Sequence, residues 1–242
     1  MNKLKEPVKV IGILIFAIGI LFGMALTSSI VVADIEATFY GFMTFTNTPL
    51  NSLRCPIFVT QVGTNTVKAS VSNKTKLIAR PAMRVNFSNP GPLITEQTRL
   101  ELQPGETQKF EWTVSQENVD LKNFIFVNVL VYASYDNPAR QSTCGMIYLD
   151  IPLIPGWLLL SLLVLIFGLF TIIGYMLWEK NARPLTNRAI DQSRGMKFLA
   201  GLVLAGMFTS FLGWWLLGGA LFMLAILMLG AMMYFLIPRS EN

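Results

Sequence analysis

The sequence predicts a membrane α-helical protein with four transmembrane helices and an inserted extracytoplasmic all-β antiparallel sandwich. Three observations predict it. Charged residues make up 14% of the 242 residues and hydrophobic ones 53%, where soluble domains carry about 25% charged residues. The apolar residues gather in three long uncharged stretches, at positions 10–33, 152–178 and 198–238. The net charge of +5 lies wholly outside the segment that separates the first two stretches.

The stretches set the number of spans. A bilayer core of about 30 Å takes roughly 20 helical residues. Residues 10–33 and 152–178 therefore each make one span, and the third stretch makes two joined by a tight turn, with a re-entrant hairpin as the alternative. The run Gly213-Trp214-Trp215-Leu216-Leu217-Gly218-Gly219 supplies the turn. The spans are expected at 10–33, 152–178, 198–215 and 216–238. A cytoplasmic tail at 1–9, a basic cytoplasmic loop at 179–197 and a cytoplasmic tail at 239–242 join or flank them. The first apolar run is about twice the ~7–15 residues of a signal-peptide core, so it reads as an uncleaved signal anchor.

Charge placement gives the orientation. Lys3, Lys5, Lys9, Lys180, Arg183, Arg188, Arg194, Lys197 and Arg239 oppose Glu6, Glu179, Asp191 and Glu241, which accounts for the whole +5. Residues 34–151 carry ten basic and ten acidic residues and are neutral. The positive-inside bias then puts both termini and the 179–197 loop in the cytoplasm and residues 34–151 outside. A basic protein of this kind needs no nucleic acid partner, because its positive charge flanks the spans. Near anionic headgroups each such side chain adds about 1 kcal/mol of attraction to lipid. Trp157 and Trp178 fall at the two ends of the second span, and Trp214 and Trp215 at the outer turn. These four read as interfacial anchors, with Tyr175 and Tyr234 near the inner interface.

Residues 34–151 change character. Candidate strands at 36–46, 56–62, 66–72, 82–88, 98–102, 108–114, 124–133 and 143–151 are separated by turn clusters such as Gln103-Pro104-Gly105-Glu106 and Asp136-Asn137-Pro138. Short strands spaced by roughly 8–12 residues predict an antiparallel sandwich. In Lys109-Phe110-Glu111-Trp112-Thr113-Val114 the alternation puts Phe110, Trp112 and Val114 on the core face. Residues 124–131 are apolar on both faces, which fits a central strand or one covered by a partner. The architecture is immunoglobulin-like in layout only, since Trp112 does not follow the first cysteine at the antibody spacing.

Cys55 and Cys144 both lie in this segment. An even count in an oxidising compartment predicts a disulfide, and two thiols fall short of the four ligands structural zinc takes. Asn73-Lys74-Thr75 and Asn86-Phe87-Ser88 match the glycosylation rule and read as chance matches.

Catalytic signatures do not emerge. The chain has no histidine, which removes the commonest general base and metal ligand and every serine–histidine triad. Phosphate-binding glycine motifs are missing. Glu96, Glu101, Glu106, Glu111 and Glu117 are scattered over strand ends and turns rather than paired as a glycosidase requires. The spans hold no Asp, Glu, Lys or Arg, where coupled transport and proton relays need them. The expectation is therefore no enzyme, no metal and no cofactor.

Small residues at four-residue spacing mark helix-packing faces. They occur at Gly19, Gly23 and Thr27 in the first span and at Gly201 and Ala205 in the third. The functional expectation is a non-catalytic accessory or scaffolding subunit of a multi-subunit membrane complex, such as a respiratory or photosynthetic assembly. Its partners would be other membrane-protein subunits and lipid. The alternative is a membrane-anchored receptor or adhesion module that binds a ligand or glycan through sandwich loops.

Overall fold

The computed structural model describes residues 5–134, 137–182 and 187–236. Of the residues named above, Lys3, Asp136, Arg183, Arg239 and Glu241 lie outside these, as do the side chains of Lys5, Glu6, Arg188 and Tyr234. Four helices run α1 (Lys5–Phe39), α2 (Gly156–Asn181), α3 (Asn187–Phe211) and α4 (Trp215–Leu236). The seven strands of the described residues, β1 (Phe58–Thr60), β2 (Thr66–Ser72), β3 (Ala82–Phe87), β4 (Ile94–Arg99), β5 (Thr107–Thr113), β6 (Phe124–Val131) and β7 (Arg140–Leu149), all fall between α1 and α2. The chain divides into two compact units, Met1–Val31 with Ser161–Asn242, and Val32–Leu160.

Among the described residues two helices are long and apolar enough to cross a membrane, Pro7–Phe39 and Gly156–Asn181. α3 begins at Asn187, inside the stretch expected to be a loop at 179–197. Nothing between Asn187 and the apolar run stops a helix, since a lone Gly195 costs only about 1 kcal/mol relative to alanine. The turn between α3 and α4 is a glycine-capped stop. Gly213 takes φ +77, its N–H donates to the Ser210 carbonyl at 2.9 Å, and the Trp214 N–H donates to the Thr209 carbonyl at 3.0 Å. That pair of bonds satisfies carbonyls the last turn would leave bare.

The β unit has two sheets on one core. A five-stranded sheet has the order β1-β7-β6-β3-β4, and a two-stranded sheet pairs β2 with β5. The core takes alternate residues, Val67, Ala69 and Val71 from β2, Met83, Val85 and Phe87 from β3, and Ile125, Val127, Val129 and Val131 from β6. This is the period-2 pattern that one-sided burial demands. The expected all-antiparallel arrangement needs one correction: β1 runs parallel to β7, Phe58 opposite Ile147 and Thr60 opposite Leu149. The larger sheet is therefore mixed. The reversal arises because the chain leaves β1 for the other sheet instead of turning back on itself.

The outer face of β6 is also closed, with Phe126, Asn128 and Leu130 at most 1% exposed. Its neighbour is the chain itself. The Tyr40 ring lies 4.5 Å from that of Phe126, and the Tyr40 hydroxyl donates to Asp120. Across the same face the Asn128 amide donates to Thr143 at 2.8 Å and the Asn86 amide to Asn128 at 3.3 Å. Asn86 and Asn73 are 7% and 1% exposed, so neither glycosylation match offers its amide to solvent.

Residues 36–46, expected as the first strand, are not one. α1 continues to Phe39, and Gly41 at φ +89 ends it. Ala33 and Ala37 on these last turns are buried, so the extra helix has a packing reason. Strand β4 is the other displacement, at Ile94–Arg99 rather than 98–102. Leu102 instead makes a bridge with Ala79 outside either strand.

Candidate functional site

Two places in the fold offer function: the helix faces of the helical unit and a cleft at the side of the β unit. Small residues decide the first. A Cβ at Gly19 would sit 2.7 Å from the Thr171 backbone nitrogen, and one at Gly23 2.6 Å from the Phe167 ring. Gly12 meets the Trp178 backbone in the same way at 2.7 Å. Thr27 is buried, donates to the Gly23 carbonyl at 2.9 Å, and reaches Gly206 of α3. This helix-packing face of α1 is thus used inside the chain, against α2 and α3. Close backbone approach is what glycine permits and larger residues prevent.

Gly201 and Ala205 differ. Nothing lies within 4 Å of a Cβ built at Gly201, and both residues are exposed. Phe198, Leu204 and Phe208 flank them on the same side of α3, each more than half exposed.

The anchor tryptophans also separate. Trp157 and Trp214 are well exposed and Trp215 opens α4 half-buried. Trp178 is 1% exposed and among the largest fully buried side chains, so it packs within the chain. The missing side chain of Gly12 is what lets its backbone come so close to α1.

In the β unit, Cys55 and Cys144 are joined with their Cα atoms 6.5 Å apart. Arg54, next to Cys55, exchanges backbone hydrogen bonds with Lys68 of β2 at 2.8 Å, while Cys144 sits in β7. The bond therefore ties the small sheet's border to the large sheet.

The last turns of α1 meet β7 at a side-chain-free point. A Cβ at Gly145 would fall inside the Ala33 carbonyl, and the Gly145 N–H donates to the Asp34 carboxylate at 3.3 Å. Asp34 lies just beyond the apolar run at 10–33. Burial raises its pKa from the ordinary 3.8 to about 6, against the smaller lowering effect of the Gly145 N–H. A carboxyl whose folded pKa is raised contributes stability that is full below the unfolded value and is lost as pH rises through the folded one. Thermal stability of the β unit should therefore rise as pH falls from about 7 to about 3.5, by up to ~3 kcal/mol over the whole window for a change in proton affinity of this size, with roughly half of it present by about pH 5. Asp34→Asn should flatten that pH profile. An unchanged profile in a thermal melt series would remove Asp34 as its source.

The cleft holds about 350 Å³ and is lined by Phe87, Ile94, Glu96, Glu111, Trp112, Thr113 and Asn118. It lies between β4, the last strand of the large sheet, and β5, which has no neighbour beyond it in the small one. Trp112 and Phe110 stack with centroids 5.9 Å apart. Both were expected in the core and are only partly buried against it, because no strand lies beyond β5 to cover them. Glu111 pairs with Lys68 at 2.9 Å, with both side chains more than half exposed, so the pair adds little stability. Of the scattered glutamates, Glu96 and Glu111 come to one cleft and Glu101 pairs instead with Arg80 at 3.3 Å. The sequence carried one signal for this cleft: charges at the alternating positions Lys109 and Glu111 of β5, a mark of sheet edges. Among the described residues no group of three or more Cys, Asp or Glu is placed to hold a metal ion.

No family model matches the chain, and no curated protein matches it. Among solved structures, a β-glucuronidase from Bacteroides uniformis resembles 39% of this chain at 17% identity and TM-score 0.30. A second, β-glucuronidase 2 of the same organism bound to a cyclophellitol aziridine, resembles 34% at 18% identity and TM-score 0.28. The matched regions span only 12% and 11% of those enzymes. A CARDB domain from Pyrococcus furiosus, in complex with di-metal ions, resembles 41% of this chain over 90% of its own length, at 18% identity and TM-score 0.28. Likenesses at this level fix neither family nor activity.

Proposed function

We propose that the chain is a non-catalytic accessory subunit of a multi-subunit membrane complex, with four spans, cytoplasmic termini and the β unit outside. A respiratory or photosynthetic assembly is the kind of host this reading favours. The outward face of α3 carries the proposal: Gly201 and Ala205 stand open and four residues apart, the spacing that admits the backbone of a partner's transmembrane helix. A helix that meets only lipid has no use for a groove, since lipid chains fill against leucine equally well. The lack of histidine in the sequence supports a structural rather than a catalytic part.

The test is mild-detergent extraction through a carboxyl-terminal tag, with co-purifying chains and absorbance spectrum recorded. A complex of constant composition is expected, and Gly201→Leu with Ala205→Leu should deplete it several-fold while the disulfide still forms. Constant composition in the double variant would sink the α3 face as the docking surface. Extraction of the chain alone would favour a second reading, a membrane-anchored receptor or adhesion module that binds a ligand or glycan. The cleft beside Trp112 is the observation behind that alternative.

A further inference from the structure

We infer that the free edge of β5 is a strand-acceptor site, at which an extended segment of a partner polypeptide adds a third strand to the small sheet. The inference names the partner surface of the accessory subunit proposed above and rests on that reading for its setting.

The register supplies the geometry. The Val114 N–H donates to Asn65 and the Asn73 N–H to Glu106, and Thr66 pairs with Thr113. Alternation along an antiparallel ladder then points the backbone groups of Trp112 and Phe110 toward β2. Those of Thr113, Glu111 and Lys109 point away from it, to an edge that pairs with no strand among the described residues. The cleft is lined by three consecutive β5 residues, Glu111, Trp112 and Thr113, but by alternate β4 residues, Ile94 and Glu96. The cleft therefore meets β5 along its edge and β4 on its face.

That β4 face is the inner one. Ile94 and Glu96 pair with Phe87 and Val85, both core residues, and cross-strand partners share a face. Yet all of β4 is exposed, because the small sheet stops two strands wide and leaves nothing opposite. A third strand on β5 would cover Ile94 and Trp112 with apolar side chains and bring one of its inward positions to Glu96. Charge complementarity makes that position lysine or arginine. Backbone pairing would provide affinity and the inward side chains specificity, as in other strand additions.

The test uses the full chain in detergent and labelled seven-residue peptides, the length of β2 and β5. They alternate valine and threonine around a central lysine or a central glutamate. Binding is read by fluorescence anisotropy. The lysine peptide should bind about tenfold tighter than the glutamate peptide, the span of an opposite-charge against a like-charge cross-strand pair. Thr113→Pro removes an outward N–H and leaves the ladder to β2 intact, so it should abolish binding. Glu96→Lys leaves the backbone untouched and should reverse the peptide preference, which covers the case in which the proline variant fails to fold. Binding of neither peptide, or equal binding to wild type and both variants, overturns the inference. Self-association of the chain that Thr113→Pro abolishes overturns it in favour of a second copy as occupant. A chain extracted alone that shows the peptide pattern would remove the complex-subunit reading and leave the acceptor edge standing. A constant complex with an unresponsive edge would do the reverse.

Discussion

Serine at Cys55 and Cys144 should cost the β unit ~4–5 kcal/mol, the chain-entropy value for a loop of this length. The cysteines are 89 residues apart, so the bond removes a large share of the unfolded chain's freedom. The loss should concentrate in the small sheet. A two-stranded ribbon is marginal alone, and β2-β5 is held to the larger sheet by the shared core and by the strap that carries Cys55 past β2. Hydrogen exchange in the double variant should therefore accelerate first at Val67, Ala69 and Val71, with β6 still protected. Urea titration gives the total. Equal midpoints for the double variant and the wild type would show that the bond contributes little to stability.

Gly145→Ala is the second large effect, at about 3 kcal/mol or more. The new methyl would fall on the Ala33 carbonyl and 3.1 Å from the Asp34 backbone nitrogen. Both obstacles are main chain inside a helix, so neither can rotate aside as a side-chain tip would. One side must lift. If the last turns of α1 lift, Phe126 loses its cover and the 39–46 segment becomes open to protease. Gly91→Ala is the matching control, since only the Asn89 side chain lies near it, at 3.7 Å, and it should be near neutral. A thermal melt paired with limited proteolysis reads both. Two variants of equal stability would show that the helix end does not bear on β7.

Much of this organisation was legible because it follows from period and composition. Residues 66–72 are β2 as read, and the 108–114 reading differs from β5 by one residue at each end. In both, alternation and turn residues agree. The two faces of β6 were also legible as apolar, which fitted a central strand or one covered by a partner; β6 is the middle strand of five, and Tyr40 lies against its outer face. The misplaced end of α1 has a physical origin. The apolar run ends at Ala33, whereas the helix ends where the backbone can no longer continue, and that place is Gly41. Charge at Asp34 and Glu36 signals the end of the apolar run and says nothing about the end of a helix. The cleft was less accessible still. Phe110 and Trp112 read as core by alternation, and one sequence cannot show that the strand needed to bury them is missing. Gly19, Gly23, Gly201 and Ala205 look alike on paper, and only the neighbours distinguish an internal contact from an open face.

The parallel pairing of β1 with β7 has a consequence in time. Phe58 and Val59 meet Ile147 and Tyr148, the last strand of the unit, so the first strand synthesised must wait for the final one. At translation rates of about 5–20 residues per second the interval is roughly 5–20 s. Through that interval Phe58 and Val59, both buried at the end, lack their strand partner. Contacts between distant parts of the chain also form slowly. The large sheet thus closes as a single late event, after β7 has been delivered, and the Cys55–Cys144 bond records its completion. Until then the half-made domain depends on whatever shields an unpaired apolar strand, and a pause placed anywhere between β1 and β7 would lengthen that exposure by its full duration.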